Sequence, residues 1–480
     1  MHKAKLEPCV ELNLSEQELK SVVQKSKDWA IMNGVSMRSK ESFNFNQVQI
    51  APFLLLPSTF PKREFEKAVE IQIVINDIMH NVAHDHQFLV DVLKSTIEAD
   101  DFTRKLFEIY EKVYAEGFSQ AISLGLFRSD YMLHSDSDNK IQQVEINTVA
   151  SSFAGMSNAI TEFHRYILKD LGHSDKLKNM PDNNSVTGFC TGLVSAWSLY
   201  KNQEAKILFV VEDVTYNISD QRFIEFGIQH LNSNIKIIRR NLTELVTQAK
   251  LGPQNELIVD GSIISVVYYR SGYGLEAYPT EKEWDVRLLI ERSLAIKCPS
   301  IQYHLAGTKK VQQVLSLPGV VERFLSDSNL VKKVTDTFTG LYSLDFDENG
   351  EKAIAKGISE PRNYVLKPQR EGGGNNIYDD EVRIQLEKFK NSKDRSGWIL
   401  MERIFPPLFK NYIIRADSEE IIKPQEVICE LGIYGVIIGS KNEIKVNEQV
   451  GHLLRTKSSS SNEGGIVAGA GAIDSPYLTI

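Results

Sequence analysis

Two apolar runs constrain the fold of this chain more than any other feature: ILFVV at residues 207–211 and SIISVVYYR at residues 262–270. A segment apolar on every side has to be buried on both faces, which is the environment of a parallel strand covered by helices. DQRFIEFGIQHL, residues 220–231, lies between them with helix-like spacing. Strand, helix and strand in that order predict a separate α/β unit. Its edges are expected at asparagine-rich PDNNS (residues 181–185) and in the stretch 298–308.

Upstream, residues 62–126 carry a helical pattern. Ile71, Val74, Ile78 and Val82 recur at spacings of three and four, as do Leu106, Ile109 and Val113, so two or three long helices are expected. From Ile141 the period changes to two, which points Val144 and Ile146 to one side of a strand and Glu145 and Asn147 to the other. A carboxylate beside an amide on one strand face offers two oxygen ligands suited to a hard cation such as Mg²⁺. In the final third, YVLKP, WILMERI, NYIIRA, EVICELGIYGVIIG and IKVNEQVGHLLRTK alternate with polar turns and predict an antiparallel sheet. TKSSSSNEGGIVAGAGAIDSPY, residues 456–477, is rich in small residues and reads either as a disordered tail or as a mobile loop.

At 480 residues the chain exceeds what one core holds, and about two to four domains are expected. Hydrophobic residues at 42% and charged ones at 25% are the balance of a folded globular protein. The net charge of -8 is spread without blocks of like charge, which argues against a nucleic-acid partner and against a polybasic membrane contact. The N-terminal MHKAKLEPCVELNL has no apolar signal core and no long apolar run follows, so a cytoplasmic protein with no membrane association is expected. Cys9, Cys190, Cys298 and Cys429 are far apart; they fit neither a metal-site spacing nor a disulfide framework and read as inert thiols.

The chemistry concentrates in YVLKPQREGGGNNIYDDE, residues 364–381. A Walker loop sets its lysine after the glycines, whereas Lys367 precedes them; a dinucleotide fingerprint spaces its glycines, whereas Gly372, Gly373 and Gly374 are adjacent. What remains is a strand ending in a lysine, then a loop whose bare backbone N–H groups can approach a polyphosphate. A flexible, solvated turn is the other reading of such a loop. Two further elements favour phosphate: the Glu145 and Asn147 pair, and AGTKK (residues 306–310), which supplies Lys309.

With LMERI (residues 400–404) and CELGIYG (residues 429–435), these segments resemble the nucleotide site of ATP-grasp ligases. RSDYM, QVEINTVASSFAGM, VLKPQREGGGNN, ELGIYG, VGHLLRTK and the final GGIVAGAG occur in the order that identifies the chain as similar to the eukaryotic-type glutathione synthetase family, from about residue 10 onward. That resemblance implies an α/β (α+β) fold with an ATP-grasp core of antiparallel sheets. It divides the chain into an N-terminal helical region contributing to that core and to the metal site (residues 1–204), a smaller parallel-sheet substrate domain (205–303) and a nucleotide-binding domain with glycine-rich lids (304–480).

The implied reaction joins γ-glutamylcysteine to glycine with conversion of ATP to ADP and phosphate through an acyl phosphate. A related ligase using another amine, such as β-alanine, is the alternative. Carried over residue by residue, the resemblance makes Glu145, Asn147 and Glu371 the Mg²⁺ ligands, and Lys309 and Lys367 the phosphate-neutralising cations. Gly372, Gly373, Gly374, Asn375 and Asn376 would fold over ATP, and Tyr378, Met401, Glu402, Arg403, Ile404, Glu430, Lys457 and Glu463 would complete its pocket. The peptide would meet Arg128, Val149, Ala150, Ser151, Ser152, Thr215, Tyr216, Asn217, Gln221, Arg270, Ser271, Gly272, Tyr273 and Arg455, with Ile466 and Val467 on the substrate-side loop. Arg128, Lys309, Lys367 and Arg455 would be the catalytic set, and a homodimer is implied. Arginines suit bidentate capture of carboxylates, although each alone is also the signature of a surface ion pair. Departures from the family's pattern fall at Ala150, Ser271 and the 466–467 pair.

Overall fold

The computed structural model describes residues 5–369, 374–418, 422–462, 464–466 and 470–480. Its centre is an eight-stranded sheet. In order across it run Ile413–Ile414, Phe53–Leu54, Gly471–Asp474, Glu443–Ser458, Gln425–Ser440, Ser123–His134 and Lys140–Asn147, with Phe409–Asn411 also paired to Gln425–Ser440. Gln425–Ser440 and Glu443–Ser458 form a long antiparallel hairpin, and Ser123–His134 pairs antiparallel with Gln425–Ser440 on one side and Lys140–Asn147 on the other.

Helices cover this sheet on both faces. Successive strand residues face opposite sides, and adjacent positions show it: a Cβ on Gly435 would meet the Asn76 amide of the helix Lys62–Ala83 at 2.2 Å, while Val436 lies against Gly192 of the helix Ser185–Leu199. Ile433 and Ile437 accordingly join Ile71 and Ile75 in one core, and Tyr434, Val436 and Ile438 join Phe189 and Leu193 in a second. Each fully buried aliphatic side chain contributes roughly 1.5–3 kcal/mol. Burial from both sides is why GIYGVIIG shows no polar alternation although its sheet is antiparallel.

The runs that predicted parallel strands form them. Lys206–Val210 lies between Ile237–Arg240 and Ser262–Tyr269, parallel to both, and Ser262–Tyr269 also runs parallel to Ile296–Cys298. Leu257–Val259 and Ala249–Leu251 extend this sheet by antiparallel hairpins. A third, smaller sheet is antiparallel, with Trp398–Glu402 between Leu341–Ser343 and Tyr364–Pro368, and it covers its own small core around Leu366, Leu386 and Leu400.

Two sequence expectations change. The helical pattern of residues 62–126 ends early: the helices are Lys62–Ala83, His86–Leu93 and Asp101–Glu116, and the strand Ser123–His134 has begun before residue 126. Its first nine residues are all buried, so no period of two reveals it. The strand-like segments of the final third do not form one sheet either, since Tyr364–Pro368 and Trp398–Glu402 belong to the three-stranded sheet and the others to the eight-stranded one. Among the described residues no helix is long and apolar enough to cross a membrane.

Candidate active site

A cavity of about 1150 Å³ opens where the three sheets meet. The eight-stranded sheet supplies Arg128, Glu145, Asn147, Glu430 and Arg455, the three-stranded sheet supplies Lys367 and Met401, and the segments just beyond the carboxyl ends of the parallel strands close the far end. Crevices at those strand ends are where open parallel sheets take their ligands.

Glu145 sits on the edge strand Lys140–Asn147. The pairing with Ser123–His134 slips between Asp130/Glu145 and Tyr131/Gln143, leaving Val144 as a bulge. This corrects the simple alternation expected for the segment: Val144 lines the cavity together with Glu145 and Asn147, because a bulged residue leaves the pleat. Its carbonyl accepts a hydrogen bond from Lys367 Nζ at 2.8 Å. Lys309 opens the helix Lys309–Leu315, and that helix is fixed to the strand by Gln312, whose Oε1 accepts from Ile146 N–H (2.8 Å) and whose Nε2 donates to Ile146 O (3.1 Å). Lys309 Nζ then lies 3.0 Å and Lys367 Nζ 3.9 Å from Glu145 Oε2. Burial alone would raise the Glu145 carboxyl; Lys309 and then Lys367 outweigh it and hold the group well below the ordinary carboxylate range. Burial lowers the Lys367 ammonium, with Glu145 opposing. The neighbouring Lys310 turns away, to Ser343 Oγ (2.7 Å) and Asp345 Oδ2 (2.5 Å).

Asp130 was not among the residues expected here, yet it organises the adjoining wall. Fully buried, it holds Arg128 bidentately (2.7 and 2.8 Å), accepts from Asn147 Nδ2 at 3.0 Å, and meets Arg455 at 3.1 Å. Arg455 also pairs with Glu430, its cross-strand neighbour. The i, i+2 spacing of Arg128 and Asp130, which sets both on one strand face, was the signal available in the sequence.

The loop after Asn147 is held in left-handed backbone at Ala150 (φ 50°) and Phe153 (φ 74°), a conformation that costs a non-glycine residue on the order of 1 kcal/mol or more and survives only where its surroundings impose it. Those surroundings are visible. Asp220 accepts from Phe153 N–H (2.7 Å) and Gly155 N–H (3.0 Å), where a helix N-terminus favours an anion. Arg270 donates to Ser151 O (3.2 Å) and Ser152 Oγ (2.7 Å), and the Tyr434 hydroxyl donates to Ser152 O at 2.6 Å. Burial would lower the Arg270 guanidinium, but Tyr268 and Asp220 keep it above arginine's ordinary value.

Val149, Ala150, Ser151, Ser152, Tyr216, Asn217, Ser271 and Tyr273 line the cavity, whereas Thr215, Gln221, Arg270 and Gly272 stand behind its wall. On the opposite side Asn375, Asn376, Tyr378, Met401, Glu402, Arg403, Ile404, Lys457 and Ile466 line it, and Gly374 does not. Arg403 pairs with Asp379 and donates to Asn462 Oδ1 at 3.0 Å, Asn462 Nδ2 donates to Asp379 Oδ2 at 2.9 Å, and Lys457 Nζ donates to Asn462 O at 2.5 Å. Both glycine-rich segments thus border the same cavity mouth. Glu371, Gly372, Gly373, Glu463 and Val467 lie outside the described residues.

Antiparallel sheets facing one cavity across a lysine-flanked carboxylate are the ATP-grasp architecture. The family model described as eukaryotic glutathione synthase, ATP binding domain, matches residues 16–478. Glutathione synthetase from Xenopus laevis is 42% identical over 455 residues, covering 94% of this chain and 95% of that protein. The Homo sapiens protein of the same name is 41% identical over 466 residues (96% and 97%), and that of Dictyostelium discoideum 42% over 483 residues (96% and 100%). Among solved structures, a glutathione synthetase like-effector from Globodera pallida in its apo form shares the fold, with a TM-score of 0.77 at 24% identity, covering 97% of this chain and 98% of that one. The chain belongs to the eukaryotic glutathione synthase family.

Proposed function

We propose that this chain joins glycine to γ-glutamylcysteine, converting ATP to ADP and phosphate, and so makes glutathione. The observation that carries this reading is the Glu145 carboxylate flanked by Lys309 and Lys367 where two antiparallel sheets meet, in a chain of this family. Phosphoryl transfer depends on positioning and charge neutralisation more than on a protein base. The peptide's cysteinyl carboxylate attacks the γ-phosphorus, ADP leaves, and Lys309 and Lys367 offset the negative charge that develops. Glycine's amine then attacks the acyl carbon; the C–N bond forms, phosphate departs with the C–O bond electrons, and the amine gives up a proton. Arg128 and Arg455, oriented by Asp130, hold carboxylates.

The oxygen donors of Glu145 and Asn147 fit a hard cation. Asn147 commits its amide nitrogen to Asp130 and the Arg128 carbonyl, which leaves its oxygen as the coordinating atom. Among the described residues no group of three or more His, Cys, Asp or Glu side chains is set to hold a metal, and Glu371, the third expected ligand, lies outside them. Mg²⁺ bound by Glu145, Asn147 and Glu371 would supply charge neutralisation on the ATP phosphates. The nucleotide would be gripped by the 374–378 and 401–404 segments with Glu430 and Lys457, and the peptide by Val149 to Ser152, Asn217, Ser271 and Tyr273; the chain would divide at about residues 204 and 303. We infer a cytoplasmic homodimer from family membership and from the residue usage.

The test is ADP release with ATP and γ-glutamylcysteine in the presence of glycine, β-alanine, serine or no amine. Release that requires glycine supports the reading; release with β-alanine alone supports the alternative acceptor; no release with any amine removes the ligase assignment.

A further inference from the structure

Under the ligase function, on which this inference rests, the peptide brings two carboxylates and one ammonium into the cavity. The ammonium needs an anion. Yet Tyr216, Asn217 and Ser271, which line the cavity where the γ-glutamyl end would lie, and Thr215 and Gln221 behind them, are all neutral. Of the other carboxylates lining the cavity, Glu145 is matched by lysines, Glu430 by Arg455 and Asp379 by Arg403, Glu402 accepts from the Tyr342 hydroxyl at the opposite side, and Asp213 is exposed and accepts from the Asn241 amide. Glu276 and Asp136 are exposed at the rim.

Glu212 differs. It is partly buried, lines the cavity, and stands two residues beyond the strand Lys206–Val210, at the ligand-binding end of the parallel sheet. Among the described residues no lysine, arginine or histidine nitrogen lies within 4.0 Å of its carboxylate. Its partner is a neutral amide, since Gln221 Nε2 donates to Glu212 Oε2 at 3.1 Å. The orientation of that amide is itself fixed, because Arg239 donates to Gln221 Oε1 at 2.8 Å and so settles which end of the amide faces Glu212. Gln221 also donates to Asn217 Oδ1 at 3.1 Å. A carboxylate aimed by a clamped amide, with Arg239 and Arg270 acting on it only from beyond ion-pair distance, is open to direct contact with a ligand's ammonium.

We propose that the Glu212 carboxylate binds the α-ammonium of the γ-glutamyl group and selects γ-glutamyl peptides over acyl analogues that lack the amine. Gln221 and Arg239, which stand behind it, are positioning residues for this contact.

The experiment compares γ-glutamylcysteine with N-glutarylcysteine, which differs only by the missing amine, in ADP release with glycine. The unaltered protein should favour γ-glutamylcysteine by about ten- to hundred-fold in kcat/KM, the range of a charge-assisted hydrogen bond. In Glu212→Gln that ratio should fall to about one, while the KM for ATP stays unchanged; a merely structural loss moves both peptides and ATP together. Direct binding of the two peptides by calorimetry gives the same comparison without turnover. A Glu212→Gln protein that keeps the full preference overturns the assignment. An unaltered protein that releases no ADP with γ-glutamylcysteine overturns the ligase reading itself, and this inference with it.

Discussion

Lys309 Nζ lies 3.0 Å from Glu145 Oε2, and Lys367 Nζ approaches the same oxygen to 3.9 Å. The Glu145 carboxylate therefore faces two buried ammonium groups, one from the helix Lys309–Leu315 and one from the three-stranded sheet. Glu145→Gln keeps the shape and removes the charge. Its kcat should fall by about 10²–10³, and unfolding free energy should fall by about 3 kcal/mol, the low end for breaking a buried pair, because the carboxylate faces the cavity. Steady-state ADP release and thermal unfolding of the same preparation check both.

Asp130 holds Arg128 and Arg455 at once. Asp130→Asn leaves both guanidinium groups with less counter-charge at a fully buried position, so stability should drop by about 3–5 kcal/mol. The KM for γ-glutamylcysteine should rise more than that for ATP, since the arginines and not the lysines lose their orientation. Thermal melts and the two KM values read this out.

Gly432 pairs across the sheet with Asp130, and a Cβ there would meet Asp130 Oδ1 at 2.8 Å and Arg128 Cδ at 2.9 Å. Gly432→Ala should therefore displace the ion pair while leaving every charge in place, costing about 1–3 kcal/mol for overpacking. A raised KM for the peptide without change in the KM for ATP is the expected kinetic result; equal changes in both would show that the substitution acts on the sheet as a whole.

Asp474 gives the pH dependence. It accepts from Thr456 Oγ1 (2.7 Å) and Ser475 N–H (2.7 Å), yet burial pushes its carboxyl from 3.8 up to about 7. The folded pKa lies above the unfolded one, so the stability it contributes is full below about pH 3.8 and is lost as pH rises through about 7. Asp474→Asn stays neutral throughout. The unfolding free energy of the unaltered protein minus that of Asp474→Asn should fall between pH 4 and pH 8 by up to about 4 kcal/mol. Glu145 has the opposite sign, with its stabilisation present above its unfolded pKa and lost as pH falls. Denaturant titrations above the Glu145 unfolded pKa of 4.5 read Asp474, and titrations below it read Glu145.

How much of this was legible in the sequence depends on whether the pattern is local. ILFVV and SIISVVYYR announced parallel strands because burial on both faces leaves a continuous apolar run. The strand Ser123–His134 is equally buried, but it follows three helices at short distance and its pattern merges with theirs. Lys367 and Lys309 could be named from their motifs, since each sits at the end or start of one element. Asp130 could not be ranked in the same way, because its importance comes from Arg455, 325 residues away on a strand that only the folded sheet brings near. Glu212 was missed for a related reason: its lack of a cation in contact is a property of the assembled wall.

The central claim is an acyl phosphate formed on the peptide's cysteinyl carboxylate. It is tested most directly by following ¹⁸O from that carboxylate in γ-glutamylcysteine during turnover with ATP and glycine. The account predicts one ¹⁸O atom in each phosphate released, with a matching loss from the new amide. Phosphate free of ¹⁸O, formed together with glutathione, would contradict it.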